Sequence, residues 1–528
     1  MVRFAGDSGD GVQVTGSQFT RTSALVGNDI ATLPNFPAEI RAPAGTLFGV
    51  SGFQIQLGSI AIRTPGDTPD ALVAFNPAAL KVNLDQLKKG GLLLINEGAF
   101  TSRNLEKAGY SSNPLDDGSL AGFQVVSVDM TSMTRTALAE SPLKTKDKDR
   151  AKNFFALGMV YYLYGRPLDH TVAWIETKFG RQVDVAAANV KALKTGFNYA
   201  MTAEVFVSTY EIPEAPIAPG TYRRVTGNLS TALGLVAATQ KAGLDLFLGS
   251  YPITPASDLL HNLASFRAHG VRTLQAEDEI AAICAALGAS YGGQLGVCST
   301  SGPGLALKGE ALGLAMMIEL PLVVVNVQRG GPSTGLPTKT EQSDYNIAVF
   351  GRNGDAPLPV LAARSPADCF DAAYEAARIT IKYRTPVILM TDGYLANGSE
   401  PWAVPDADSL ADFGPEFHTD PEGFQPYGRD PKTLARPWIK PGTPNLEHRV
   451  GGLEKADLTG NVSYDPANHQ RMCDLRAAKV QRMRQEMAPL SIVGERSGDV
   501  LVIGWGSTWG AITSAVNAAR KDGKSVSS

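Results

Sequence analysis

Apolar residues along the chain fall into short, continuous runs separated by longer stretches of helical periodicity. Such runs occur at residues 71–75, 91–95, 322–327 and 386–390. Runs of this length are typical of strands that are buried on both faces of a parallel sheet. Because they alternate with helical stretches, the pattern predicts an α/β protein with several domains, built from open parallel sheets with helices on both faces.

The same patterns predict individual elements. The further predicted strands are residues 2–5, 244–248 and 499–504, and the predicted helices are residues 227–242, 279–290 and 509–520. Residues 524–528 read as the start of one more strand. Since one strand and one helix cannot bury both of their faces, we expect a domain that begins near residue 491 and that the chain does not complete.

The length of 528 residues is too great for a single hydrophobic core. Changes in composition predict an α/β domain at 1–205, a proline-rich linker at 206–221, a second α/β domain at 222–400, an extended polar connector at 401–490 and the start of a third domain at 491–528.

Composition excludes several classes of protein. The net charge of −4 does not indicate nucleic-acid binding. Residues 311–327 form the most apolar run, but Glu319 and Pro321 interrupt it, so it does not predict a membrane span. No secretory signal opens the chain, so we expect a cytoplasmic protein without a membrane span. The four cysteines form no C-x-x-C pair and the six histidines have no ligand spacing, so neither a metal site nor an iron–sulfur cluster is predicted on this chain.

A glycine-rich turn, GDSGDG at residues 6–11, lies between a predicted strand and a predicted helix. Its backbone N–H groups could approach a phosphate, but Asp7 and Asp10 would repel one, and the spacing is not G-x-G-x-x-G. A phosphate-binding turn and a plain tight turn are equally compatible with it. Its last three residues also imitate the start of a thiamine-diphosphate magnesium motif, which we reject because neither Asn28 nor Asn35 suits the missing ligand.

Three acidic residues, at 277–279, precede the Ala/Ile-rich helix. Acids at a helix start can serve as caps that favour the macrodipole. Glu279 adjoins the apolar Ile280, where desolvation would raise the pKa of its carboxyl and suit it to proton transfer.

Rigid and glycine-flanked positions carry further candidates. Pro252 and Pro255 restrict Thr254 between them and predict an extended residue in a stiff turn. Arg329, in the glycine loop at 328–335, suits either a flexible surface loop or a ligand loop with a cation. Arg352, between two glycines, suits a solvated side chain or a bidentate clamp on a carboxylate.

Taken together and in order, these motifs resemble the alpha subunit of the 2-oxoacid:ferredoxin oxidoreductases. The motifs are YPITPAS at 251, EDEI at 277, TSGPG at 300, QRGGPSTG at 328, EQSDY at 341, TDG at 391 and GWGST at 504. The variant with a gamma domain fused at the N-terminus is the most similar, above all the 2-oxoglutarate-specific type (2-oxoglutarate synthase). GDSGDG at 6–11 and PAEIR at 37–41 resemble the gamma part.

The resemblance implies domain types and chemistry. Residues 1–205 would be the gamma-type domain, 222–400 a pyrimidine-type thiamine-diphosphate-binding domain, and 491–528 the start of a transketolase C-terminal-like domain. The reaction would interconvert 2-oxoglutarate, CoA and oxidised ferredoxin with succinyl-CoA, CO2 and reduced ferredoxin, as in CO2 fixation by the reductive TCA cycle. A beta subunit would hold Mg²⁺ and [4Fe–4S], share the thiamine diphosphate and form an alpha2beta2 heterotetramer with this chain.

The resemblance also implies roles for individual residues. Glu279, with Glu277 in reserve, would hydrogen-bond the aminopyrimidine. Thr254 and Arg352 would hold the carboxylate next to the reacting carbonyl, and Arg329 and Lys339 would be candidates for the distal carboxylate of 2-oxoglutarate. Further cofactor contacts would come from Tyr251, Pro252 and Ile253, and CoA contacts from Ser8, Gly9 and Gly11. Two alternatives stay open: a family member acting on pyruvate, branched-chain or a broad range of 2-oxoacids, and a non-catalytic regulatory protein that binds CoA or a nucleotide.

Overall fold

The computed structural model describes residues 1–37 and 49–528, so residues 38–41 of the PAEIR motif lie outside the described residues. The chain divides into two compact units. The first comprises residues 1–224 and 399–401, and the second residues 225–398 and 402–528. The finer domain boundaries expected from the sequence stay predictions.

The first unit is built on a six-stranded sheet in the order β2-β3-β1-β4-β5-β6. Its strands are β1 (Val2–Asp7), β2 (Asp29–Asn35), β3 (Val50–Gly58), β4 (Ala71–Ala74), β5 (Leu92–Asn96) and β6 (Gln124–Val128). Strands β1, β4, β5 and β6 are parallel, whereas β3 runs antiparallel to both β1 and β2. Every residue of β4 and β5 is buried, as the continuous apolar runs predict.

Eight helices accompany this sheet in the described part of the unit. They are α1 (Val12–Leu25), α2 (Pro77–Asn83), α3 (Ser102–Lys107), α4 (Met130–Ala137), α5 (Thr145–Arg150), α6 (Lys152–Leu163), α7 (Asp169–Phe179) and α8 (Val183–Thr202). Helices α6 and α8 touch through their backbones: a Cβ at Gly196 would lie 1.9 Å from the carbonyl oxygen of Phe155. Glycine is therefore required for this close approach. Strand β7 (Tyr222–Thr226) follows the linker.

The second unit is built on a fully parallel six-stranded sheet in the order β12-β13-β11-β10-β8-β9. Its strands are β8 (Leu246–Ser250), β9 (Val271–Gln275), β10 (Leu295–Thr300), β11 (Leu322–Gln328), β12 (Val360–Ala362) and β13 (Pro386–Asp392). All residues of β10, β11 and β13 are buried. Because all six strands run the same way, the loops at their carboxyl ends gather at one edge of the sheet.

The remaining elements follow in chain order. The helices are α9 (Gly227–Ala242), α10 (Ser257–Ala264), α11 (Glu279–Tyr291), α12 (Gly302–Leu307), α13 (Gly309–Ile318), α14 (Tyr345–Phe350), α15 (Cys369–Tyr383), α16 (Gly393–Asn397), α17 (Pro466–Glu486) and α18 (Thr508–Lys521). The short strands are β14 (Ser399–Ala403), β15 (Val500–Leu501) and β16 (Val526–Ser527). Within the ranges 1–37 and 49–528, no helix is long and apolar enough to cross a membrane.

Most predicted elements are confirmed, with small shifts. The helix at 227–242 has the predicted bounds, and α11 extends one residue past its predicted end. The strand predicted at 244–248 begins instead at Leu246. Gly243 ends α9 in a left-handed conformation, and the backbone N–H of Leu244 donates to Thr239, so this residue belongs to the helix end.

Two predictions are wrong. The connector at 401–490 is not extended throughout, because it contains the 21-residue helix α17. Asp465 caps this helix and Pro466 begins it, yet only Met472, Lys479 and Met483 are buried along it. The strand predicted at 499–504 shrinks to the two residues of β15, both of them exposed.

Candidate functional site

The turn at 251–257 follows β8 at the carboxyl edge of the second sheet. Tyr251, Pro252 and Thr254 are exposed and Ile253 is half-buried. Thr254 lies in a turn, joined to Pro255 by a cis peptide bond. The turn is held at two points: the carbonyl of Thr254 accepts from Arg329 Nη1 at 2.7 Å, and the carbonyl of Pro255 accepts from Asn228 Nδ2 at 3.1 Å. The hydroxyl of Thr254 therefore stands on a fixed backbone at the surface of the unit.

Arg329 directly follows β11 at the same edge and is only 6% exposed. Its Nε is buried and has no hydrogen-bond partner. Burial lowers the pKa of Arg329, although the negative charges of Asp344 and Glu279 act to raise it. The guanidinium is thus oriented by Thr254 and keeps a free donor.

The three acidic residues at the start of α11 have separate environments. Asp278 is the N-cap, and its Oδ1 accepts from the backbone N–H of Ala281 at 2.7 Å. Glu277 and Asp278 are exposed, whereas Glu279 is 9% exposed. Ile280 points outward and is half exposed, so it does not desolvate Glu279 as expected. Burial singles out Glu279 from its neighbours.

Glu279 is covered by the TSGPG segment that follows β10, whose last three residues form the first turn of α12. A Cβ at Gly304 would lie 2.8 Å from Glu279 Cγ and 2.0 Å from Thr300 Oγ1. Distances that short do not occur between real atoms, so only glycine lets this loop close over the carboxylate. The sequence showed the glycine but not the residue that it faces.

Lys308 is a functional candidate that the sequence reasoning missed. It lies between α12 and α13, is fully buried, and its Nζ has no hydrogen-bond partner. Burial lowers the pKa of Lys308, while the neighbouring Cys298 and Glu279 oppose this shift. Burial also raises the pKa of the Cys298 thiol to about 11. In the sequence Lys308 has no distinguishing signal, because a lysine is normally exposed.

The glycine loop after Arg329 is ordered by its own hydrogen bonds. The backbone N–H of Gly330 donates to Lys339 O at 2.9 Å, and that of Leu336 donates to Gly330 O at 2.8 Å. The N–H of Gly331 donates to Glu341 Oε2 at 2.9 Å. This closed loop leaves Lys339 exposed beside the segment that carries Arg329.

Asp344 anchors the segment that follows this loop. Its Oδ2 accepts from Asn326 Nδ2 at 3.0 Å, and its backbone N–H donates to Gln328 Oε1 at 3.2 Å. A Cβ at Gly302 would lie 2.6 Å from Asp344 Oδ1. Burial raises the pKa of Asp344, and Arg329 opposes this shift. Asp344 thereby links the TSGPG loop, the end of β11 and Arg329.

Arg352 is placed differently from the other candidates. Its guanidinium donates to the backbone carbonyls of Ala348 and Val349, both at 2.7 Å, and to that of Ala356 at 3.0 Å. These bonds close the end of α14. Among the described contacts none joins Arg352 to Thr254, Arg329 or Glu279, and its role as a substrate clamp stays a prediction.

In the first unit, the glycine-rich turn at 6–11 joins β1 to α1. Ser8 and Gly9 are exposed, and Gly11 adopts a φ of +73°. Asp10 points inward: it pairs with Lys152 at 2.8 Å, and its carboxylate accepts from the N–H of Asp7. One of the two acids that would repel a phosphate is thus neutralised, whereas Asp7 has, among the described contacts, only the amide of Asn76 as a side-chain partner, and the CoA contacts stay a prediction.

Comparison with known proteins places these features in one family. A family model described as pyruvate flavodoxin/ferredoxin oxidoreductase, thiamine diphosphate-binding, matches residues 237–464, and one described as pyruvate ferredoxin/flavodoxin oxidoreductase matches residues 1–199. The 2-oxoglutarate oxidoreductase subunit KorA of Mycobacterium tuberculosis (strain ATCC 25618 / H37Rv) is 56% identical over all 528 residues, which cover 80% of that protein. The chain belongs to the 2-oxoacid:ferredoxin oxidoreductase family.

Two further relatives of this oxidoreductase chain are more distant. The 2-oxoglutarate synthase subunit KorA of Methanothermobacter thermautotrophicus is 34% identical over 57% of this chain and 78% of its own. A solved structure, 2-oxoglutarate:ferredoxin oxidoreductase from Magnetococcus marinus with 2-oxoglutarate, coenzyme A and succinyl-CoA bound, superimposes with a TM-score of 0.85. The identity is 32%, over 100% of this chain and 86% of that one. The expected fold class is confirmed.

The second unit of this family member fits the pyrimidine half of thiamine diphosphate. Glu279 presents a buried carboxylate at a helix head, and a glycine is required to cover it. In the part of the chain that the structure describes, no three His, Cys, Asp or Glu side chains are grouped to hold a metal ion. A buried carboxylate suits a hydrogen bond to an aminopyrimidine ring, and the role of Glu279 in cofactor binding stays a prediction.

Proposed function

We propose that this chain is the alpha subunit of a CoA-dependent 2-oxoglutarate:ferredoxin oxidoreductase, which interconverts 2-oxoglutarate and CoA with succinyl-CoA and CO2. Support for the substrate comes from relatives named for 2-oxoglutarate at 56% and 34% identity and from the 2-oxoglutarate-bound structure with a TM-score of 0.85. Electrons pass to or from ferredoxin.

The observation that carries the proposal is the convergence of Thr254, Arg329 and Glu279 at one sheet edge. Arg329 donates to the backbone of Thr254, and the charge of Glu279 acts on Arg329. A planar guanidinium with a free donor binds a carboxylate through two parallel hydrogen bonds. We assign Arg329 and the Thr254 hydroxyl to the carboxylate next to the reacting carbonyl.

Glu279 has a separate task. When bound, thiamine diphosphate supplies a nucleophilic carbon for attack on the 2-oxoacid carbonyl. Glu279, desolvated under the TSGPG loop, hydrogen-bonds a ring nitrogen of the pyrimidine and holds a proton there. Tyr251, Pro252 and Ile253 line the approach. Holding the substrate carboxylate at Arg329 fixes the carbonyl in a reactive position, which removes orientational freedom before the reaction.

Lys339 is proposed to attract the distal carboxylate of 2-oxoglutarate. It is exposed on the closed glycine loop, ten residues beyond Arg329. Replacement by Met should raise the KM for 2-oxoglutarate and leave the KM for pyruvate unchanged. Equal effects on both substrates would remove Lys339 from the specificity pocket.

The partners and cofactors follow from the same assignment. A beta subunit would hold the diphosphate with Mg²⁺ and carry the [4Fe–4S] clusters, in an alpha2beta2 heterotetramer in the cytoplasm. Ser8, Gly9 and Gly11 would contact CoA, because their turn exposes backbone groups and its acid Asp10 is paired with Lys152.

The direct test is reconstitution. The chain is co-purified with its beta subunit, and CoA-dependent reduction of methyl viologen is measured with 2-oxoglutarate, pyruvate and a branched-chain 2-oxoacid. We expect 2-oxoglutarate to be preferred. Activity on another 2-oxoacid alone would refute the specificity, and no activity on any of them would refute the class.

Replacement of Glu279 by Gln separates an enzyme from a regulatory protein. An assembled complex whose turnover falls at least about 100-fold is expected, since general acid–base groups contribute roughly 10²–10⁴-fold. Glu277→Gln is the matched control, because this neighbouring carboxylate is exposed. Unchanged turnover in Glu279→Gln would favour the non-catalytic regulatory alternative.

A further inference from the structure

A cavity of about 980 Å³ lies entirely within the second unit, away from the site described above. Its walls are the end of α15 and residues 411–438 of the connector. Arg384, one of its lining residues, lies two residues before β13, whereas Arg329 immediately follows the neighbouring strand β11. Seven-residue strands rise by roughly 3.3 Å per residue, so the two edges are about 20 Å apart.

Side chains with buried, unpartnered nitrogen atoms line this cavity. Buried nitrogen atoms without a partner belong to five of its side chains, namely Arg384 Nε, His418 Nε2, Arg429 Nε and Nη2, Arg436 Nε and Trp438 Nε1. Arg436 is 6% exposed and Trp438 is 2% exposed. Buried polar groups without partners are costly, and several around one cavity indicate a ligand that carries acceptor oxygens.

The arginine side chains are already oriented. Arg436 donates from Nη1 to the carbonyl of Ile318 at 2.9 Å, and Arg384 donates to the carbonyl of Ile381. Arg384 also lies over the ring of Trp438, at 5.4 Å from its centroid. Burial lowers the pKa of Arg384 to about 10, and the nearby charge of Arg436 lowers it further in the same direction. Arg384 therefore lies within electrostatic range of Arg436, and the opposing charge of Asp430 also acts on it.

Positive charge beneath the cavity exceeds the negative charge that neutralises it. Glu319 is buried and pairs with both Arg429 and Lys479. The guanidinium groups of Arg384 and Arg436 have backbone or histidine partners and form no ion pair among the described residues, although the charge of Asp430 acts on Arg384. One buried acid thus faces several buried cations, and the excess favours an anion.

The carboxylates that line the cavity stand at its rim. They are Asp412, Glu416, Asp420 and Asp430, all of them exposed. Asp430 is engaged by the backbone N–H groups of Lys432 and Thr433, and Asp412 by Lys241. Exposed charges are screened by solvent more strongly than buried ones, so the buried arginine side chains determine the sign of the electrostatic potential in the cavity.

We propose that this cavity binds a small phosphate-bearing anion, with Arg384, Arg429 and Arg436 contacting the phosphate oxygens. Phosphate offers several acceptors and more than one charge, which matches three guanidinium groups better than a single carboxylate does. The volume, within the range of small-molecule sites, leaves room for a larger phosphorylated compound beside Phe417 and Trp438. The inference is independent of the function proposed for the carboxyl edge.

The experiment measures binding rather than turnover. The purified alpha–beta complex is titrated with inorganic phosphate, pyrophosphate and ADP by calorimetry, with sodium chloride holding the ionic strength constant. We expect saturable binding of at least one probe and a rise in Tm on its addition. Binding of phosphate alone would identify a free oxyanion as the ligand, and tighter binding of ADP would identify a nucleotide.

Two variants test the assignment. Arg384→Gln should weaken binding about tenfold, because it removes one charged donor. His418→Phe retains an aromatic ring to stack on Phe424, whose ring centroid lies 5.4 Å from that of His418, and removes both ring nitrogens; it should weaken binding a few-fold. Arg267→Gln, an exposed arginine of the same unit, is the matched control and should leave the affinity unchanged.

Two results would overturn the proposal: no saturable binding of any of the three probes, or wild-type affinity in both Arg384→Gln and His418→Phe. If Arg384→Gln does not fold, His418→Phe decides alone. Oxidoreductase activity without added phosphate is measured in parallel and should stay within about twofold of the wild-type value, since about 20 Å separates the two edges. A wild-type complex that binds phosphate but lacks oxidoreductase activity would count against the proposed function alone.

Discussion

Replacing Arg329 and Arg352 separately by Met tests which arginine holds the substrate. The sequence suggests both, but the structure gives them different surroundings. Arg329 has a single described hydrogen bond, to the carbonyl of the exposed Thr254, and a free Nε. Arg352 has three hydrogen bonds, all to backbone carbonyls at the end of α14.

The expected magnitudes differ accordingly. Loss of the bond from Arg329 should cost about 1 kcal/mol of unfolding free energy or less, because water can replace it at Thr254. Loss of three bonds at about 1 kcal/mol each should make Arg352→Met about 3 kcal/mol less stable. For substrate binding the order reverses: a bidentate charged contact is worth about 2–4 kcal/mol, so Arg329→Met should raise the KM for 2-oxoglutarate roughly 30- to 1000-fold.

The assay combines denaturant unfolding with CoA-dependent viologen reduction in the alpha–beta complex. Arg329→Met should show high KM and nearly wild-type stability, and Arg352→Met the opposite. Arg329→Lys should recover only part of the affinity, because an ammonium cannot form the planar fork. A raised KM in Arg352→Met, with an unchanged KM in Arg329→Met, would refute the reasoning and restore Arg352 as the clamp.

Three further results are expected. Gly304→Ala should lower kcat at least tenfold in the assembled enzyme by displacing Glu279, from which its Cβ would be only 2.8 Å away; wild-type kcat would contradict the proposed contact. Lys308→Met should raise the Tm, because it removes a buried, unpaired charge. Burial lowers the pKa of Lys308, so unfolding takes up a proton just below pH 10.5. The stability of the wild-type protein should therefore rise with pH in that range, and the variant should lack this slope. Iodoacetamide at pH 8 should label the exposed Cys284 and spare Cys298, whose pKa of about 11 leaves roughly 0.1% thiolate. Mass spectrometry of the labelled protein should show Cys298 modified only after unfolding.

The sequence was most informative where one local pattern determines the outcome. The continuous apolar runs predict β11 and β13 because both faces of each strand are buried, and this burial is visible in composition. The acids before α11 likewise predict a capped helix start. The fold distinguishes the acids from one another. Asp278 caps the helix, while Gly304, in the first turn of α12, covers Glu279.

The sequence was least informative where a long-range contact decides the environment. Helix α17 buries only Met472, Lys479 and Met483, so a largely polar helix leaves no clear apolar stripe to detect. Lys308 looks like a surface lysine until the strands around it are assembled. For the same reason the short strand β15, exposed at both residues, does not follow from its apolar composition.

The buried contact of Glu319 with Lys479 has a consequence for the order of folding during synthesis. The two residues are 160 positions apart, and translation at roughly 5–20 residues per second separates their appearance by about 10–30 s. Strands β11 to β13 emerge in that interval and can pair with the earlier strands of the sheet, whereas the carboxylate of Glu319 still lacks Lys479. In a ribosome-bound chain that ends before α17, Glu319 should therefore remain exposed to water. Burial of Glu319 would mark the completion of the connector.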